Sequence, residues 1–320
     1  MTVRDLPVGY YGAVMGLVGL GLAARAAAPL FPGAVRAPAY FTEPWVALGV
    51  ALFLVLVPAY ALKLVKHPKA VKEDFNNPLL LGFCGALPVG MALVAGGLAP
   101  YLPPLGSVLW WIAFFLLLAF QAWALVRFLR GGVALAQANG GWLILLVGGI
   151  VLPGPGVALG HAEASRIVFA ISTAAAAVLV PLLLYRAIAA PPLPPVLSPS
   201  WFILLVPPSL IYANGVRLYP EATALEHLYF VALVFAVGLF YYARASWRWP
   251  YGPPWWAVTF PLDALAYAAA RYAQDHPGAL WKAVAGVALG AATVVVSAVL
   301  VRWAASVIAA LARARADPRA

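Results

Sequence analysis

Few side chains in this 320-residue chain can do chemistry: ten acids, four histidines and one cysteine. Among the acids only Asp263 is set deep within an apolar run, where a carboxylate costs about 2.5–3.5 kcal/mol on insertion scales and so faces a cavity or a partner. Two readings stay open for it, a functional group or a protonated or hydrogen-bonded structural one. His67, His161, His227 and His276 all fall near the ends of apolar runs. His161 with Glu163, or Glu226 with His227, could gather a metal. No pair spaced like H-E-x-x-H is present, so scattered interfacial histidines are the better reading and no metal site is expected. Cys84 stands alone, which excludes an internal disulfide and suits a small buried residue. No two acids are placed for metal–diphosphate chemistry, no Ser/His or Cys/His couple is expected at one depth, and no histidine pair could hold a haem. Neither a cofactor nor an enzymatic activity is expected.

The surrounding sequence explains this scarcity. It is 65% hydrophobic and 9% charged, where soluble domains carry about a quarter of their residues charged. The net charge of +10 is scattered through apolar sequence, which excludes a disordered chain and a nucleic-acid partner. The apolar runs begin within the first ten residues, so no cleaved signal peptide is expected. Crossing a bilayer takes roughly 20 apolar residues, and ten segments of that size fit: Val8–Ala28, Pro44–Val65, Leu79–Ala99, Ser107–Leu129, Gly140–Gly160, Ser165–Ala187, Pro199–Tyr219, Thr223–Ser246, Pro253–Ala273 and Ala279–Trp303. Continuous runs rather than alternating strands exclude a β-barrel. The expected fold is an all-α polytopic membrane protein, residues 1–320 forming a single transmembrane domain. Ten spans put both termini on one side. That side then holds 14 of the 20 Lys and Arg, including those of the loop Lys66–Pro78, against 6 on the other, so the positive-inside rule makes both termini cytoplasmic. Trp110, Trp111, Trp201, Trp247, Trp249, Trp255, Trp256 and Trp281 lie near span ends and read as an aromatic belt in the lipid bilayer.

Glycine and proline divide the spans. The first, third and fifth hold 5, 5 and 7 glycines, while the five even spans together hold 4. Mid-span prolines extend the bias to the odd set: Pro88, Pro153, Pro155, Pro207, Pro208 and Pro261. Proline bends a helix, glycine admits a neighbouring backbone, and irregular backbone survives at membrane depth only inside protein or beside water. The economical arrangement is five helical hairpins in a pseudo-fivefold ring, kinked odd helices inside and smoother even helices outside, around a central pore. Generic small-residue packing is the other reading. With no chain of charged residues across the spans, such a bundle suits permeation by anions drawn to a basic face and to helix dipoles.

Four stretches carry a family resemblance. Leu6–Leu20 (LPVGYYGAVMGLVGL) resembles the first pore helix of the tellurite-resistance/dicarboxylate transporter family, which includes the slow anion channels of plant guard cells. Trp255–Leu262 (WWAVTFPL) is similar to its ninth helix, with weaker echoes at Ala86–Gly90 and Leu205–Pro208. The resemblance implies a homotrimer in which each protomer has its own pore, lined by the odd helices and plugged by Phe260. It implies that Gly12 and Gly16 leave room beside that ring and that Pro88, Pro153, Pro207 and Pro261 shape the pore. It further implies a gated channel for small monovalent anions such as chloride and nitrate, in a prokaryotic cytoplasmic membrane. Asp263 departs from the family, where the residue three beyond the gate is small or neutral. Either it carries a proton, or it pairs with a cation such as Arg271, or the protein is a proton-coupled carrier or exporter of C4-dicarboxylate, sulfite or tellurite-type anions. Only a few residues precede the first span, so the phosphorylated tails of the plant channels are expected to be absent.

Overall fold

Prolines and glycines decide where each buried segment changes its geometry. Val8–Tyr10 is a 3₁₀ turn leading into helix α1 (Tyr11–Ala27), and the outer helix α2 (Glu43–Lys66) and the short α3 (Pro68–Asn76) follow. Leu81–Gly85 is again 3₁₀ and continues as α4 (Ala86–Leu98), followed by α5 (Pro103–Leu129). The fifth apolar run is broken into α6 (Gly141–Leu146), a 3₁₀ turn at Gly148–Val151 and α7 (Pro153–Ala158); α8 (Ala162–Ala189) comes next. Pro195–Leu205 is 3₁₀ and leads into α9 (Val206–Leu218), and α10 (His227–Tyr242) follows. Pro253–Trp255 leads into α11 (Trp256–Asp275), and α12 (Ala279–Ala316) ends the bundle. The computed structural model describes residues 3–32 and 41–316; Arg36 and Arg319, which enter the charge count, lie outside the described residues, as does the side chain of Trp247.

The expected proline kinks take a different form. Pro88 is the third residue of α4, Pro207 the second of α9, and Pro153 the first of α7. In a first turn the missing N–H has no intrahelical partner to lose. These prolines therefore begin an α half after a 3₁₀ half instead of bending a continuous helix. Only Pro261, six residues into α11, lies inside the helix of a buried segment beyond its first turn.

Among the described residues, eight stretches are long and apolar enough to cross a membrane. The other two of the ten expected spans are the broken run at 141–158 and α11, whose Asp263, Arg271 and Asp275 lower its hydropathy. Neither needs to meet lipid, because both are buried. The 3₁₀–α segments form a closed ring: α1 touches α4, α4 the 141–158 run, that run the 195–218 segment, this one α11, and α11 again α1. Each outer helix fills a groove between two ring members, α2 between α1 and α4, α5 beside α4 and the 141–158 run, α8 between that run and α9, α10 between α9 and α11, and α12 between α11 and α1. Burial follows position. The apolar windows of 8–30, 81–98 and 195–218 are 67%, 83% and 89% buried, whereas those of the outer helices are 22–33%. Val287, Val294 and Val301, a heptad apart on α12, are each at least 67% exposed, a stripe suited to lipid.

Glycine closes the ring where two backbones meet. A Cβ on Gly85 would stand 2.6 Å from Leu145 Cα, so the segments of α4 and α6 can touch only without it. The aromatic-belt expectation fails for two residues. Trp110 and Trp256 are buried inside the bundle, and Trp110 donates to the Leu152 carbonyl at 2.9 Å, because the bulky rings fill space behind glycine-rich segments. Cys84 is fully buried, as its type suggests.

Candidate functional site

Inside the ring lie two cavities, of about 320 Å³ and about 400 Å³. The N-terminal halves of the five ring segments surround the first, and their C-terminal halves surround the second. We call them inner and outer, after the expected cytoplasmic side. Phe260 and Val151 border both. The ring and its aliphatic neighbour thus stand at the partition, and Phe260 is 6% exposed.

The inner cavity is almost wholly apolar, lined by residues such as Gly12, Met15, Phe83, Val89, Ile203 and Pro261, with Asp74 the charged group of its lining. Asp74 is held at the mouth by Lys63, whose Nζ donates to Oδ2 at 2.6 Å and to the Leu6 carbonyl at 2.8 Å. Tyr60 donates to the same oxygen at 3.3 Å. This clasp fastens α3 and the start of the chain to α2.

The outer cavity is polar along one side. Phe260, Asp263 and Tyr267 follow one face of α11 at helical spacing, as Leu210, Asn214 and Arg217 do on α9. Asp263 is 1% exposed, and neither carboxyl oxygen has a hydrogen-bond partner among the described residues. Of the readings open for Asp263, the pairing with Arg271 does not form. Arg271 Nε lies 2.9 Å from Asp275 Oδ2, one turn on along α11. Arg25 is also engaged: its Nε and Nη2 reach both oxygens of Glu43, at 2.9 and 2.6 Å, and its guanidinium donates to the Gly96 and Gly97 carbonyls. That two-pronged pair joins α1, α2 and α4. Arg217 has a carbonyl, Gly154 O at 3.2 Å, and no carboxylate partner among the described residues.

The site residues expected from sequence divide. Phe260, Gly12, Pro261 and Asp263 border the cavities. Pro88, Pro153, Pro207 and Gly16 are buried between helices and border neither. Gly16 does not make room for Phe260, since its missing Cβ faces the Thr259 side chain, and Gly12 faces Trp256 Cβ at 3.2 Å. Gly19 has that role: a Cβ there would stand 2.9 Å from both Phe260 Cδ2 and Asp263 Oδ2. The phase of α1 against α11 fixes which glycine meets the ring, and no periodicity within either helix reveals it. Val151, Asn214, Arg25 and Arg217 were also missed. Asn214, a primary amide within an apolar run, was the one legible signal.

A Ser/His couple does exist, against expectation. Ser107 Oγ lies 2.7 Å from His161 Nε2, across 54 residues of sequence. His161 packs on Trp110 and Trp111, and burial holds its pKa below the ordinary histidine value. No carboxylate pairs with His161 among the described residues, and neither residue borders the inner or the outer cavity. The bond ties the start of α5 to the turn before α8. Glu163 pairs instead with Arg166, and Glu226 with His276.

A closed ring of buried segments, sheathed by apolar helices and enclosing two cavities, defines a multi-pass all-α membrane protein. Residues 5–304 match the family described as SLAC1, voltage-dependent anion channel, and the chain belongs to that family. It is 26% identical over 260 residues to the S-type anion channel SLAH2 of Arabidopsis thaliana, covering 80% of this chain and 50% of the relative. It is 24% identical over 302 residues to SLAH3 of the same plant, covering 92% and 47%. A tellurite resistance protein TehA homolog of Haemophilus influenzae (strain ATCC 51907 / DSM 11121 / KW20 / Rd) is 28% identical over 128 residues, 40% of this chain and 38% of that one. The chain spans about half the length of the plant relatives it matches.

Proposed function

We propose that the protein is a gated channel for small monovalent anions, chloride and nitrate among them. Each protomer of a homotrimer would conduct through its own passage, in a prokaryotic cytoplasmic membrane with both termini inside. The observation that carries this reading is the position of Phe260, which with Val151 borders both of the two cavities. A ring closing a narrow apolar passage blocks an ion sterically and favours loss of water from the gap, so conduction requires the ring to turn. The five ring segments point their N-terminal ends at the inner cavity, and helix N-termini favour negative charge. The test is anion current in planar bilayers. If the ring sets a barrier of about 1.4 kcal/mol or more, Phe260→Ala raises chloride and nitrate current roughly tenfold or more. Equal small currents in both proteins end the proposal.

One observation favours a second reading, a proton-coupled carrier or exporter of dicarboxylate, sulfite or tellurite-type anions: the unpartnered carboxyl of Asp263 beside the ring. On that reading Asp263→Asn abolishes the pH dependence of uptake, and substrate on the opposite side stimulates flux. Identical pH responses in the two proteins dismiss it.

A further inference from the structure

The outer cavity holds more polar capacity than the fold uses. Asp263 offers two oxygens without partners, at 1% exposure. Asn214, at 2% exposure, spends its Nδ2 on the Ile150 carbonyl at 2.7 Å, which fixes the amide and leaves Oδ1 without a partner. Further out on the same face of α9, Arg217 presents a guanidinium with no carboxylate. Buried polar atoms are almost always satisfied, and exceptions call for an unseen partner. Water alone could satisfy Asn214. It would not explain a carboxyl set against the gate of an anion passage, where a bare negative charge repels the ion being carried.

The surrounding charges do not cancel it. On α1, Arg25 is bound to both oxygens of Glu43. On its own helix, Arg271 is taken by Asp275. On α9, Arg217 has no carboxylate partner among the described residues and lies three residues beyond Asn214 on the way out. A carboxyl and an oxyanion cease to repel when they share one proton in an O–H···O bond, and bonds of this kind with one charged partner are among the strongest in proteins. The partner must itself accept a proton well. Anions of weak oxygen acids do so, whereas chloride and nitrate, the anions of strong acids, accept poorly.

We propose that the outer cavity is a selective binding site for the small anion of a weak oxygen acid, such as formate, acetate or hydrogencarbonate. The anion is captured by Arg217 and then held beside Phe260 by one proton shared with Asp263. The planar guanidinium matches a carboxylate at entry. The proton comes from the water on that side, and the only bond affected is the O–H whose proton lies between the two oxygens. Asn214 Oδ1 accepts from the hydroxyl of hydrogencarbonate, or from a water where the anion has none. The proposal rests on the anion-passage reading and refines its substrate class.

Binding is tested first, because it does not require conduction. With the full-length protein in detergent, sodium formate raises the melting temperature by roughly 2–4 °C over sodium chloride at equal ionic strength, and Asp263→Asn loses that difference. Equal shifts with the two salts in the wild-type chain overturn the site, and so does a formate-specific shift that survives in Asp263→Asn. Selectivity comes second, in bilayers, on the Phe260→Ala background. There Asp263→Asn lowers the formate-to-nitrate permeability ratio roughly tenfold, a change of about one pKa unit in proton affinity. Arg217→Gln lowers both permeabilities together. An unchanged ratio in Asp263→Asn refutes the shared proton. A formate-specific thermal shift with no anion current in any variant upholds the site and rejects the channel.

Discussion

Phe260, Val151 and Gly19 make one mechanical unit. The ring and Val151 both border the two cavities, and the ring has room on its α1 side only because α1 carries no Cβ at Gly19. Gly19→Ala sets a methyl carbon 2.9 Å from the ring edge and from the Asp263 carboxylate. Overpacking of this kind costs about 1–3 kcal/mol, so the melting temperature falls. Part of that loss is relieved in Gly19→Ala/Phe260→Ala, with a coupling of about 0.5–3 kcal/mol as for residues in contact. Strict additivity of the two changes in thermal unfolding contradicts the contact. Val151→Ala removes the smaller wall of the same gap. Its nitrate current rises less than that of Phe260→Ala, and adding it to Phe260→Ala raises current little further; a large further rise places the barrier elsewhere.

At the scale of the element, the join between 3₁₀ and α halves carries the architecture, and it was only partly legible in the sequence. The glycine and proline bias separated inner from outer segments, because a ring of touching backbones needs both residues. Hydrophobic run length located even the broken run at 141–158. What composition leaves open is phase. Pro88, Pro153 and Pro207 were expected to shape the passage, but as first-turn residues they set where α geometry begins, and their neighbours Val89, Gly154 and Val206 border the cavities instead. Asp74 was equally hidden, since only the fold of α3 back under α2 brings it to the inner mouth. Lys63→Met leaves that carboxylate without its cation. Breaking a buried pair costs about 3–5 kcal/mol, and Asp74, at 19% side-chain exposure, places this case at the lower end. Lys63→Met/Asp74→Asn recovers most of the loss in thermal melts. A double variant no more stable than Lys63→Met means that Lys63 acts through the Leu6 carbonyl alone.

At the scale of the whole molecule, orientation decides which chamber an anion meets first. All five ring segments run the same way, so their N-terminal ends converge on the apolar inner cavity and their C-terminal ends on the cavity of Arg217 and Asp263. On the proposed orientation, with both termini inside as the charge bias of 14 to 6 favours, the inner cavity faces the cytoplasm. Arg302, one of those 14, lies 4.7 Å and 4.9 Å from the ring centroids of Tyr251 and Trp255, a cation–aromatic cluster suited to the membrane surface. The polar, proton-sharing cavity then faces outward, where the proton supply differs from that of the cytoplasm. Cys84 makes this testable: it is the single cysteine and fully buried, so the native chain is silent to a membrane-impermeant maleimide. Lys72→Cys on the exposed face of α3 and Glu221→Cys in the exposed turn after α9 report opposite sides. In intact bacterial cells the probe labels position 221 and not 72, and in inverted membrane vesicles it labels 72 and not 221. Labelling in the reverse pattern turns the molecule over: Arg217 and Asp263 would then meet cytoplasmic anions, and the converging helix N-termini would draw anions from outside.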